Sequence, residues 1–296
     1  METKIAKIET ITQCNRLFSE KTLHPLISLV TLSDTQCHNL LQMGFYSVLL
    51  KEHAVECRCF CGWQECDFSD GTLMFLPPWR TLDCNSPDRE AKGWLLCFHP
   101  DLIRGTWLEG RIGDYTFFGY RHSEALHLSH RELTLMKKCM ESVPEELHRG
   151  MDEFSMALIN NKLGELLNYG ARFYKRQFIT RREINVEIIK NGEKLLENWF
   201  FSGHAHEGRL PDAEWFARML NLSAAYFDDL LKHETGMGTE EYVELKRLDI
   251  AREQLSRTGR SVAEIAGGLG YPSAQYFSCL FKKITGLAPN EYRILN

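Results

Sequence analysis

The chain has 296 residues, of which 44% are hydrophobic and 25% charged, and its net charge is -5. That length predicts about two domains, and the acidic balance excludes capture of nucleic acid or membrane by bulk charge, so any such contact must be local. The charged start at Met1, Glu2, Thr3 and Lys4, the lack of an apolar run approaching ~18 residues and ten cysteines without disulfide-like spacing predict a cytoplasmic protein with reduced thiols and no membrane partner.

Short stretches rich in aromatic and β-branched residues fill the first half: Leu26 to Leu32, Phe45 to Leu50, Cys57 to Trp63, Thr72 to Leu76 and Trp94 to His99. Turn formers separate them, among them Gly44, Asp70-Gly71, Pro77-Pro78, Ser86-Pro87 and Gly93. Such punctuation predicts an antiparallel β sandwich or barrel. From Ser129 the pattern turns helical, with a first helix to His148 that Pro144 should break. Met156, Ile159, Leu163, Leu166, Gly170 and Phe173 then alternate by three and four. That spacing fits either a coiled-coil seam or a helix covering the β domain. A basic stretch, Arg172 to Arg182, leads to another helix over Ile184 to Trp199, and the polar run Ser202 to Arg209 reads as a linker.

Three groups in this half invite chemical readings. Cys57, Cys59 and Cys61 would share one strand face, with Cys66 nearby, yet the spacing is not that of a zinc knuckle, and buried or free thiols are expected. The one H-x-H pair, His204 and His206, falls in the linker rather than in a barrel. Cys97 and His99 have the spacing of a nucleophile and base on a strand, but no third group orients them, so core packing is expected. No catalytic residue, cofactor or bound metal is assigned. Gly267, Gly268 and Gly270 are not a phosphate loop, because no Lys-Ser or Lys-Thr follows.

The last third repeats itself. Leu210 to Tyr242 overlays Arg260 to Tyr292 at a constant offset of 50: Ser223 falls on Ser273, Tyr226 on Tyr276, Phe227 on Phe277, Lys232 on Lys282 and Gly236 on Gly286. Two copies are too few for a solenoid, so a pair of modules is expected. Each reads as a short apolar helix, a left-handed turn residue (Asn221 or Gly270), a Ser cap and a second helix. These are helix-turn-helix units at about 212–235 and 261–285. In the second helices, Phe227, Leu230 and Leu231, or Phe277, Leu280 and Phe281, form the core-facing stripe. The other face carries Ala225, Asp228, Asp229 and Lys232, or Ala274, Gln275, Ser278, Cys279 and Lys282. Between the copies, Thr239 to Ser256 predicts a helix roughly 25 Å long, able to set two recognition helices near successive major grooves.

Ser261, Val262, Ala263, Glu264, Ile265 and Ala266, then Gly270-Tyr271, Tyr276-Phe277, Phe281-Lys282-Lys283, Thr285-Gly286 and Pro289-Asn290-Glu291-Tyr292-Arg293, resemble the DNA-binding domain of AraC/XylS-type transcriptional regulators. The likeness covers about the last hundred residues, with Cys279 standing where an arginine is common in that family. It implies a bipartite helix-turn-helix domain joined to a variable sensing or dimerisation domain, often a cupin-like jelly roll. The expected organisation is therefore α+β: a β-rich sensing domain with a helical tail over 1–182, and an all-α DNA-binding domain over 183–296. The likeness also tips Met156, Ile159, Leu163, Leu166 and Phe173 toward a dimer contact.

The expected function is a sequence-specific transcription regulator responding to a small molecule. Its expected partners are double-stranded DNA, an unidentified effector, a second copy of the chain and RNA polymerase. The DNA-contacting set is Ala225, Asp228, Asp229 and Lys232, then Arg247, then Ser273, Ala274, Gln275, Ser278, Cys279, Lys282 and Lys283. Residues 209–296 hold 11 Lys and Arg against 12 Asp and Glu, but Lys246, Arg247, Arg252, Arg257, Arg260, Lys282 and Lys283 gather the positive charge on the linking helix and second copy. The alternative is a cupin-type enzyme or metal-dependent DNA repair protein with a helix-turn-helix attached.

Overall fold

Strand alternation organises the first part of the chain. The computed structural model describes residues 5–32, 40–52, 60–61, 64–65, 70–83, 92–202 and 210–295. In order these form β1 (Ile5–Ile8), α1 (Ile11–Leu17), β2 (Ile27–Leu32), β3 (Leu40–Met43), β4 (Tyr46–Glu52), β5 (Phe60–Cys61), β6 (Gln64–Glu65), β7 (Gly71–Leu76), β8 (Thr81–Asp83), β9 (Gly93–Phe98) and α2 (Pro100–Ile103). Three short 3-10 turns, β10 (Leu126–Leu128), α3 (His130–His148) and α4 (Ser155–Thr180) complete a first unit, Met1–Thr180.

Five strands make one antiparallel sheet in the order β10-β7-β4-β9-β2, and β1-β3-β8 make a second, with β1 and β3 parallel. Val48 pairs with Phe75 on one side and Leu96 on the other. Because successive side chains point to opposite faces, Val30, Leu49, Leu76, Leu95 and Cys97 fill a core shared with α1 and the three-stranded sheet. On the opposite face Phe75 meets Phe117 at 4.2 Å, Phe117 stacks on Tyr174 of α4 at 5.5 Å, and Tyr46 stacks on Phe98 at 5.1 Å. Both faces are covered, so the strands read as apolar runs rather than as alternating ones.

Helix α4 closes that second face. A Cβ at Gly170 would lie 2.7 Å from the Phe75 ring, and one at Gly164 would lie 2.3 Å from Trp107, so two glycines let the aromatic rings approach the helix. Polar side chains fix its register. Gln177 accepts from the His127 amide at 2.8 Å and donates to the Ala125 carbonyl at 3.2 Å, covering the outer edge of β10. Arg176 donates to the His127 carbonyl and pairs with Glu132, both at 2.7 Å.

This packing corrects two expectations. Ile159, Leu163, Leu166 and Phe173 are buried within one chain, with Met156 half-buried beside them, so the seam is the helix's contact with its own domain and not a dimer contact. Pro144 lies inside α3 without ending it. The hydrogen bond it cannot donate is outweighed by Met140, Val143 and Leu147, which are buried on either side. The Cys97 and His99 pair also separates. Cys97 is fully buried, its sulfur 3.9 Å from that of Cys14 and 3.8 Å from the Ser47 hydroxyl oxygen, and burial pushes its thiol well above the usual range. His99 instead caps α2 by accepting from the Asp101 amide. Cys57, Cys59 and Cys66, the side chain of Cys61, the pair His204 and His206, and most of the linker lie outside the described residues.

The second unit, Arg181–Asn296, is helical. It contains α5 (Arg182–Phe201), α6 (Ala213–Leu220), α7 (Ala224–Thr235), α8 (Thr239–Arg257), α9 (Val262–Gly268), α10 (Ala274–Thr285) and α11 (Pro289–Leu295) around one core built on Phe216, Phe227, Phe277 and Phe281. Among the described residues no helix is long and apolar enough to cross a membrane.

With the seam inside the unit, Leu163→Asp must bury an unpaired carboxylate. The expected result is a loss of at least about 3 kcal/mol from the first unit, seen as a lowered melting transition, with sedimentation unchanged under conditions where the variant is folded. A folded variant that merely shifts from dimer to monomer would restore the intersubunit seam.

Candidate nucleic-acid interface

Two helix-turn-helix units are built from matching local chemistry. Asp212 caps α6 by accepting from the Trp215 amide at 2.8 Å, and Ser261 caps α9 in a reciprocal box with Glu264. Left-handed residues end each first helix, Asn221 at φ 57° and Gly270 at φ 74°. The second helices begin at Ser223 and Ser273, whose hydroxyls accept from the Tyr226 and Tyr276 amides at 3.2 and 3.1 Å. They end alike: the Gly236 and Gly286 amides donate to Lys232 and Lys282 carbonyls at 2.9 Å, and Thr235 and Thr285 hydroxyls turn back to Leu231 and Phe281 carbonyls at 2.7 Å.

The repeat is not gapless. The second helices keep the offset of 50, but Asp212 and Ser261, Asn221 and Gly270, and the bonds Leu222 to Ala217 and Tyr271 to Ala266, all differ by 49. One residue, Pro272, lengthens the second turn. Buried Phe216 and Ala217 therefore correspond to Ile265 and Ala266, which are also buried.

Helix α8 is clamped from both sides. On α7, Asp228 accepts from the Thr239 amide at 2.9 Å and the Thr239 hydroxyl at 2.8 Å, capping α8 from outside, and pairs with Lys232 at 2.7 Å. Burial raises the Asp228 carboxyl, yet the bonds from Lys232 and Thr239 outweigh it and hold the group below the usual range. Further along α8, Arg247 is only 5% exposed. Its Nε donates to the Leu269 carbonyl at 2.8 Å, a second nitrogen meets Glu244 at 2.9 Å, and the guanidinium lies 3.5 Å from the centre of the Tyr271 ring. Burial pushes the Tyr271 phenol up to about 12 although Arg247 pulls it down. Glu193 of α5 ties the same helix by accepting from Tyr242 at 2.5 Å and Lys246 at 2.8 Å.

These contacts bury Arg247, one of the expected DNA set, and engage Asp228, another, as a cap. Arg252 and Arg257 also pair within α8, with Asp249 and Glu253. The Ser278 hydroxyl donates to the Ala274 carbonyl at 2.7 Å, and the Ser273 hydroxyl is occupied as the cap. What α10 presents outward is Gln275, Tyr276, Cys279, Lys282, Lys283 and Ile284, with Ala274 half-buried beside them. On α7 the outward set is narrower: Lys232 and His233 exposed, Ala225 and Asp229 half-buried. Tyr276 is the residue the repeat concealed, because Tyr276 is 54% exposed while its counterpart Tyr226 is 5% exposed. Only the shared stripe with Cys279 and Lys283 marks it in the sequence.

Residues 216–294 match the helix-turn-helix domain family. The chain is 26% identical over 232 residues to the MmsAB operon regulatory protein of Pseudomonas aeruginosa, an overlap of 78% of this chain and 68% of that protein. It is 42% identical over 83 residues to the uncharacterized transcriptional regulatory protein YesN of Bacillus subtilis, covering 27% of this chain and 23% of the relative. A solved structure, the C-terminal domain of AraT, a response regulator from Geobacillus stearothermophilus, is 30% identical over 37% of this chain and 85% of its own, with a TM-score of 0.31. The chain thus spans about two thirds of one curated relative and under a quarter of another.

As an external cap, Asp228 should contribute about 1 kcal/mol, and Asp228→Ala should lower the melting temperature of the second unit at neutral pH. A carboxyl with a depressed folded pKa stabilises above its unfolded value near ~3.9 and loses that contribution as pH falls through the folded value. Wild type and variant should therefore converge in stability below that range. Thermal melts at neutral and strongly acidic pH check this, and a gap independent of pH would remove the charge from the explanation.

Proposed function

We propose that this chain, which belongs by its C-terminal unit to the AraC-type helix-turn-helix transcription regulators, reads DNA sequence chiefly with α10 and takes a small-molecule signal through its N-terminal unit. The observation that carries the first part is the outward row on α10. Gln275 has the amide needed for a bidentate pair with adenine, and Lys282 and Lys283 offer cations to phosphate. Neither lysine has an acidic partner within ion-pair distance among the described residues. Tyr276 adds a phenol beside them, and small Ala274 lets the helix backbone approach a groove. Helix α7 makes the weaker contact, with Lys232 toward phosphate, Ala225 as the small residue and Asp229 able to accept from cytosine N4. The 19 residues of α8 span roughly 28 Å at about 1.5 Å each, close to the ~34 Å between successive major grooves.

The two sheets of the first unit, with an apolar core between them, support a cupin-like sensing domain. Binding there would act by differential affinity for states that place the DNA-binding units differently. As a regulator the chain works in the cytoplasm, where RNA polymerase and a second copy of the chain are its protein partners. Ile159, Leu163, Leu166 and Phe173 are not part of that pairing surface. No residue is given a catalytic role.

Selection of bound duplexes from a random library by the purified full-length chain tests this reading. Enrichment of one motif is expected; recovery of no preferred sequence would overturn it. On the selected duplex, Gln275→Ala should cost about 1 to 3 kcal/mol at a single base-pair position and relax preference there. Replacing Lys282 and Lys283 together by Ala should weaken binding to every sequence and flatten the salt dependence by a slope of about two. Titrations at several salt concentrations separate the two effects, and an unchanged slope would sink the docking of α10.

A further inference from the structure

A groove of about 720 Å³ is lined by residues of α3 and α4. Its apolar wall is Leu135 with Tyr169 and Phe173, whose rings stack at 5.9 Å. Three cations stand around that wall: Arg131 and Lys138 from α3 and Arg172 from α4, the last lying 5.7 Å from the Tyr169 ring centre. The carboxylate in the groove, Glu132, is already neutralised by the two-point bond from Arg176, at 3.1 and 2.7 Å. Arg131, Lys138 and Arg172 have no acidic partner within ion-pair distance among the described residues. On a chain of net charge -5, three cations without a direct ion pair line one concave site, with Glu165 lining the adjoining pocket beside Arg172.

We propose that this groove binds a small organic anion with an aromatic or aliphatic body, its carboxylate or sulfonate held by Arg131, Lys138 and Arg172 and its body against Leu135, Tyr169 and Phe173. The volume lies in the range of small-molecule sites, ~300 to 1,000 Å³, and the division into an apolar wall and a few charged groups is the arrangement such sites use. Guanidinium groups suit the planar, two-oxygen geometry of a carboxylate. A phosphate backbone would leave the aromatic wall uncovered. The site gives the small-molecule reading of the first unit a place and a ligand class, and it rests on that reading only for the step from occupancy to DNA affinity.

The probe is 8-anilinonaphthalene-1-sulfonate, with its uncharged analogue N-phenyl-1-naphthylamine as the control, added to the full-length chain. Saturable fluorescence at one site is expected, weakened about tenfold when Arg131 and Lys138 are both replaced by Ala, since each exposed ion pair contributes modestly. Binding of the uncharged analogue should be the same in both proteins. Thr134→Trp, which fills the groove without changing charge, should weaken both probes while leaving the melting temperature near that of wild type. Anion binding unchanged in the double variant, or unaffected by Thr134→Trp, overturns the site. So does a random duplex whose affinity falls with the double variant as far as the sulfonate's, because that marks a phosphate surface. If the sulfonate binds with the expected charge dependence but leaves affinity for the selected duplex unchanged, the site stands and the effector reading fails.

Discussion

Arg247 lies under Tyr271 with its guanidinium almost out of solvent, donating to the carbonyl of Leu269, which caps the end of α9, and to Glu244. A buried cation is costly unless its hydrogen-bonding capacity is met, and here a helix C-terminus, a carboxylate and an aromatic face meet it together. The consequence is geometric. The bond fixes α8 against the turn from which α10 departs, so the side of α10 that faces outward follows from it. Asp228 does the corresponding work at the other end, joining α7 to the first turn of α8. Two charges that sequence placement assigns to DNA make bonds that tie α7 to the start of α8 and α8 to the end of α9.

The two copies share a scaffold but not a reading surface. Serine caps on the second helices, left-handed turn residues and terminal threonines recur in both copies, because these are local backbone solutions that depend on few neighbours. Their outward faces depend on what surrounds them. The extra residue at Pro272 lengthens the second turn, and the tyrosine after it in α10 is exposed where its counterpart in α7 is buried. On α7 the exposed residues are Lys232 and His233 beside half-buried Ala225 and Asp229, whereas α10 exposes a broader cationic, aromatic and amide face, so the two copies offer unequal surfaces.

In the first unit, burial on both faces of the large sheet determines what remains available. One face is taken by the small sheet and α1, the other by aromatic residues of the 3-10 turns and α4. Gly164 and Gly170 admit Trp107 and Phe75 to the helix surface, so the apolar stripe of α4 is used up within the chain. Its remaining face, with Tyr169 and Arg172, borders α3 and makes the charged groove.

Several elements were legible in the residues alone, because their causes are local. Ser, Asn and Gly at caps and turns announced both helix-turn-helix units, and apolar runs at β2, β4, β7 and β9 announced the principal strands. The three- and four-residue strands β1, β3, β8 and β10 escaped, since so few residues carry no period of their own and exist only by pairing with neighbours. The stripe on α4 was visible as a stripe, but spacing cannot say whether its partner is a second copy or the same chain's aromatic rings; Gly170 against Phe75 decides that in three dimensions. Likewise, i, i+4 placement put Asp228 on an outward face and clustering put Arg247 among DNA-facing cations. Only the fold brought Thr239, Leu269 and Tyr271 to them, because a charged side chain's partner is chosen by distance in space, and sequence fixes that distance only within a turn or two of helix.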